Sequence, residues 1–110
     1  MYQLINPQTI IQYFGNDDKE MLQEMVQIIL DTNLTDLKHL HQHYEEKDFS
    51  SIKKKCHKAK PSMSYVGAVE TRKLLEKIES DLENSLPTYE LLLEHIKIID
   101  KELKHFLDNF

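Results

Sequence analysis

Apolar residues recur at spacings of three and four along most of the chain, the rhythm of helices with one buried face. Strand-like alternation is absent from the sequence. Asn6 before Pro7 reads as an N-cap with proline in the first turn, and Gly15 as the left-handed stop of a short helix over 7–14. Asp17 with Glu20 three residues later resembles a capping box that opens a long helix over 17–46. Its stripe is Leu22, Val26, Ile29, Leu37, Leu40 and Tyr44, interrupted only by Asn33. Asp48 can cap a third helix over 49–65, with Phe49, Ile52, Cys56, Ala59, Met63 and Val66 on one stripe and Gly67 near the following turn. A fourth helix over 68–84 turns Thr71, Leu75, Ile78 and Leu82 inward, with Leu74 beside them. The break from Asn84 to Pro87 leads to a last helix over 87–109, striped by Tyr89, Leu92, Ile96, Ile99, Leu103, Phe106 and Phe110. Four sizeable amphipathic helices with short connections predict an all-α fold. The expected form is an antiparallel four-helix bundle with a short additional N-terminal helix, one domain over 1–110.

Composition supports helices and narrows the partners. Two Gly and three Pro in 110 residues are too few for a fold rich in tight β-turns. A net charge of −5 argues against nucleic acid or an anionic membrane as the main partner. Cys56, the lone cysteine, cannot form an internal disulfide, which points to a reducing cytoplasm. No apolar run approaches the roughly 20 residues that span a bilayer, and no signal peptide is visible.

The charge is strongly segregated. The stretch from Phe49 to Val69 contains no acidic residue and five lysines: Lys53, Lys54, Lys55, Lys58 and Lys60. On a helix, Lys53, Lys60 and Ser64 share a face with His57. His57 lies one position past Cys56 on the core stripe, so its ring is expected at the edge of the core, open to water. An exposed imidazole between ammonium groups and a hydroxyl suits a nucleophile for an anionic phosphoryl group, because the lysines neutralise incoming charge. If the third and fourth helices reverse near Gly67, Glu79 lies level with His57 on the neighbouring helix. Glu79 is expected to accept a hydrogen bond from Nδ1, fixing the tautomer and leaving Nε2 to attack.

The run Cys56 to Ala68, C-H-K-A-K-P-S-M-S-Y-V-G-A, resembles the signature of histidine-phosphotransfer (HPt) domains. In that pattern the phosphorylated histidine, a lysine at +3, a small polar residue at +5 and a glycine at +10 match His57, Lys60, Ser62 and Gly67. Leu74, Leu75 and Glu76 resemble the leucine-rich continuation, and Glu79 at +22 coincides with the position that contacts the histidine. Pro61 departs from the usual glycine at +4. It removes the helical bond to the carbonyl of His57, so a kink or an irregular last turn is expected. The resemblance implies a covalent phosphoryl carrier, not an enzyme of turnover, with no cofactor and no metal of its own. It implies that the receiver domains of a hybrid sensor histidine kinase and of a response regulator are the partners. Mg²⁺ is then expected in the partner receiver. His57 is implied as phosphoacceptor and Lys60 as the group that holds phosphate charge, with Glu79 orienting the ring; Lys53, Ser64, Pro61 and Gly67 are supporting.

Other readings are weaker. A non-phosphorylated HPt-like adaptor or inhibitor would use the same face only to bind a signalling partner, and retention of His57 and Lys60 argues against it. A small hydrolase or metalloprotein lacks support, since there is no phosphate-cradling glycine loop. His39 and His43 share a helical face but do not complete a metal site. His95 and His105 read as exposed. Docking is expected beside His57 on an apolar patch, from Ile10, Ile11 and Phe14 or from the edge of the second helix. A monomer is the simplest state.

Overall fold

The computed structural model describes residues 2–15 and 17–110; Met1 and Asn16 lie outside that set. The described residues form helices joined by short connections, without strands, and the helices pack as a bundle. The helices are α1 (Pro7–Phe14), α2 (Lys19–Ile28), α3 (Thr35–Lys38), α4 (His41–Glu45), α5 (Phe49–Tyr65), α6 (Val69–Ser80) and α7 (Leu86–Asn109), with a π-helical segment Ile29–Leu34 joining α2 to α3. At 24 residues α7 is about 36 Å long, against a longest dimension of 44 Å.

Local chemistry explains most boundaries. Asn6 Oδ1 accepts from the N–H groups of Gln8 and Thr9, and Pro7 occupies the first turn, where its missing N–H costs nothing. Gly15 ends α1 with φ +82° and ψ 166°, positive in φ but extended in ψ, so it is not the left-handed helical stop the sequence suggested. The cap of α2 is Asp18, one residue later than expected; its Oδ1 accepts from Met21 N–H at 3.0 Å. Asp48 caps α5 as predicted, accepting from Ser51 N–H at 3.2 Å and Ser51 Oγ–H at 2.7 Å.

The single helix expected over 17–46 is interrupted twice. The π segment widens the helix so that neighbours Ile29 and Leu30, and again Asn33 and Leu34, are all buried. Asn33 pays for its burial by accepting from Ser62 Oγ–H on α5 at 2.6 Å. The chain breaks again at His39 and Leu40. There the fully buried Tyr89 on α7 donates its hydroxyl to Leu37 O at 2.7 Å and accepts from Leu40 N–H at 3.1 Å.

The fourth helix also stops early, at Ser80 instead of 84. Ser80 Oγ–H donates to Lys77 O at 2.7 Å, and Asp81 takes an extended φ of −153° before a 3₁₀ turn over Leu82–Asn84. The last helix then starts at Leu86, with Pro87 in its first turn. By contrast α5 runs through Pro61 to Tyr65 without ending, so the anticipated irregular turn is absent from its course. The core stripes of α5, α6 and α7 are buried where the sequence placed them, apart from the half-buried Phe49, Leu82 and Phe110.

Candidate functional site

The α5–α6 pair carries the chemistry, because a short turn through Gly67 folds α6 back along α5. Cys56 is fully buried on the inner stripe of α5. Burial pushes its thiol up to about 12, helped by the negative charge of Glu79 and opposed by Lys60, so it is a core residue and not a nucleophile. One position on, the His57 side chain is 73% exposed. The 100° step per residue has turned the ring out of the core, as the sequence implied.

Glu79 reaches it from α6. Its Oε2 lies 3.4 Å from His57 Nδ1, while the carboxylate is only 13% exposed. The contact expected as a hydrogen bond is therefore a close approach, outside hydrogen-bond geometry; catalytic contacts often tighten only in the complex. Lys60 Nζ sits 3.0 Å from the other oxygen, Oε1, and is itself 19% exposed. That ion pair is also off hydrogen-bond angle, since Oε1 is buried without a hydrogen-bond partner. One carboxylate thus faces the imidazole with one oxygen and an ammonium group with the other.

The remaining sequence candidates divide. Lys53 joins His57, Lys54 and Ser50 around a shallow hollow on the outer face of α5. Lys54, counted in the sequence only among the five lysines of the basic stretch, and Ser50, not singled out there, lie three and seven residues before His57 on its face by the same helical arithmetic. Ser64 is not open beside His57: its Oγ accepts from Nη1 of Arg72, the chain's only arginine. Arg72 was missed because nothing local marks a contact made across the hairpin. Pro61 is exposed one turn beyond His57. Lacking an N–H, it leaves the carbonyl of His57 without its helical donor. Gly67 lies ten residues along, about 15 Å from His57 by helical rise, with φ +75°, and it packs on Asn6 instead of joining the site.

Several peripheral expectations change. Ile10 is fully buried and Ile11 and Phe14 pack against the core, so the large apolar side chain that α1 leaves outward is Tyr13, 56% exposed. Met21 and Ile28 are the exposed apolar residues of α2. His95, expected at the surface, is half-buried with Nδ1 2.8 Å from Thr71 Oγ1. His39 bonds Thr35 O at 2.8 Å, and His43 lies 3.4 Å from Asp48, so the two rings have separate partners. No described helix is long and apolar enough to cross a membrane.

What this arrangement can do is accept an anion on an exposed imidazole whose inner nitrogen faces a carboxylate. Residues 24–110 match the model of the Hpt domain family. No match was found among curated proteins or among solved structures.

Proposed function

The chain belongs to the Hpt domain family, whose members are phosphotransfer carriers of phosphorelays, and on that premise we propose that it carries a phosphoryl group on His57 Nε2. The observation that carries this reading is the pairing of an exposed ring with a largely sequestered carboxylate, 3.4 Å from Nδ1. The donor is an aspartyl phosphate on a partner receiver domain, whose own Mg²⁺ holds charge on the transferring group. The Nε2 lone pair forms the N–P bond as the P–O bond to the aspartate breaks, and the aspartate leaves as a carboxylate. The ring gains positive charge in this step, with its proton on Nδ1. Glu79 Oε2 faces that proton and stabilises the charge, as the buried carboxylate of a hydrolase triad does for its histidine.

Lys60 serves the other side of the balance. Its ammonium, held by Glu79 Oε1 in the resting protein, is one turn from His57 and can turn to the phosphoryl oxygens. Lys53 and Lys54 line the hollow where those oxygens sit. The reverse step hands the group to a second receiver, which makes the protein a relay between a hybrid histidine kinase and a response regulator. Docking uses the apolar residues that α1 and α2 leave outward, Tyr13 on α1 and Met21 and Ile28 on α2.

The test is incubation with a panel of radiolabelled phospho-receivers. The wild type gains acid-labile, base-stable label and His57→Gln gains none. Binding of a receiver without any label on the wild type would instead identify an adaptor.

A further inference from the structure

The segment ahead of the family match is fastened to the bundle by a device the phosphoacceptor does not use. Glu102 on α7 turns its carboxylate toward the strap that precedes α1. Oε2 accepts the Gln3 N–H at 2.5 Å, and Oε1 accepts the N–H groups of Leu4 and Ile5 at 3.0 and 3.1 Å. Three backbone donors converge on one ionised acceptor, and charge-assisted bonds are the strong ones. Alongside, Tyr2 Oη lies 2.9 Å from His105 Nδ1, and Ile5 enters the core. The strap then crosses the α5–α6 turn, where Asn6 N–H donates to Val66 O at 2.9 Å. A Cβ on Gly67 would stand 2.6 Å from Asn6 Cβ, so the glycine gives α1 room to begin there.

The strap positions α1. Ile10 pins its inner face, and Tyr13 is left outward with its ring 5.1 Å from that of Tyr65; Phe14 lies 5.7 Å from the same ring. Tyr65 is on α5, eight residues and about 12 Å beyond His57. These rings form an aromatic lip at one end of the phosphoacceptor helix.

We propose that Glu102 is a positioning residue for docking: by clamping the strap it fixes α1, so that Tyr13 and Tyr65 extend the surface that receives the partner receiver domain. The inference rests on the phosphorelay reading. Glu102 lies on another helix from the His57–Glu79–Lys60 group and contacts none of its members, so its loss acts on the encounter and not on the transfer step. If the strap is released in about nine molecules of ten, the docking-competent fraction falls and KM for the receiver rises about tenfold, with kcat nearly unchanged.

The experiment uses the full chain as Glu102→Leu, Tyr13→Ala and the double variant, with the phospho-receiver that labels the wild type fastest in the panel. Glu102→Leu is expected to speed amide exchange at Gln3, Leu4, Ile5 and α1 while α5, α6 and α7 stay protected, and to raise KM. Tyr13→Ala raises KM without changing exchange at the strap, and the double variant is no worse than the more severe single. Faster exchange with an unmoved KM, or additive effects on KM, overturns the proposal. Should Glu102→Leu not fold, Tyr13→Ala still decides, because its side chain is exposed and an unchanged KM overturns the docking role. If no receiver labels the wild type, the phosphorelay reading fails and takes this inference with it. A labelled wild type with unmoved KM removes the clamp alone.

Discussion

Glu79→Gln removes the negative charge between His57 and Lys60 while keeping nearly the same side-chain volume. The size of the effect follows from one distance and two exposures. In the proposed transfer the ring becomes cationic, as the N–P bond forms, 3.4 Å from Glu79 Oε2. A unit charge pair at that separation is worth about 1 kcal/mol in water and about 5 kcal/mol at an effective dielectric of about 20. The ring is 73% exposed, which moves the value toward water, and the carboxylate is 13% exposed, which moves it back. Roughly 1.5–2.5 kcal/mol of transition-state stabilisation results, a slowing of about 10- to 70-fold. Lys60, released from Oε1, becomes freer to meet the phosphoryl oxygens and offsets part of the loss, so the lower end, about tenfold, is expected. The assay is rapid-quench transfer at saturating phospho-receiver, with Lys60→Met in the Glu79→Gln background to remove the offset and slow transfer further. A Glu79→Gln rate within about twofold of wild type would refute the role given to this carboxylate. A thermal melt of each variant separates folding from transfer, because Glu79→Gln leaves the part-buried Lys60 without the carboxylate 3.0 Å away.

Other consequences are independent of the transfer step. Pro61→Ala restores the donor to the carbonyl of His57 inside a continuous helix, and urea unfolding should show a gain of about 1–3 kcal/mol; equal or lower stability would contradict the helical geometry. Gly67→Ala combines φ +75° with a Cβ 2.6 Å from Asn6 Cβ and should cost about 1–3 kcal/mol in the same measurement. Burial holds His95 below its ordinary 6.5, against the pull of Glu70, so the folded state favours the neutral ring. The unfolded chain therefore binds the proton first. The stability from His95 is complete above 6.5 and is lost as pH falls through the folded-state value. His95→Gln should flatten melting temperature against pH on the acid side of 6.5, and an unchanged slope would count against the burial argument.

The sequence carried the periodic parts of this protein well, for a physical reason. The stripes on α5, α6 and α7 obey one helical period over their whole length, so burial follows from spacing. The approach of Glu79 to His57 followed from the same arithmetic, because the α5–α6 turn is short and the two helices pair antiparallel. The long second helix misled. Its stripe from Leu22 to Tyr44 fits a straight helix, and only the two leucines buried in addition to it, Leu30 and Leu34, betray the added π turn. The break at His39 and Leu40 is imposed by Tyr89, 49 residues from Leu40, and no local residue signals it. The same holds for Arg72 on Ser64 and for Glu102 on the strap, contacts whose partners are joined only by tertiary packing. Ile10 was misassigned to the docking surface because an apolar residue on a short helix faces either way until the bundle decides.

The claim on which the account turns is that Nε2 of His57 takes the phosphoryl group while Nδ1 keeps its proton toward Glu79. Phosphorus NMR of the chain labelled at its histidine nitrogens, after transfer from a phospho-receiver, tests it directly. The expected result is one phosphoramidate resonance coupled to Nε2 of His57 and lost in His57→Gln. Coupling to Nδ1, or a resonance that survives that substitution, would contradict it.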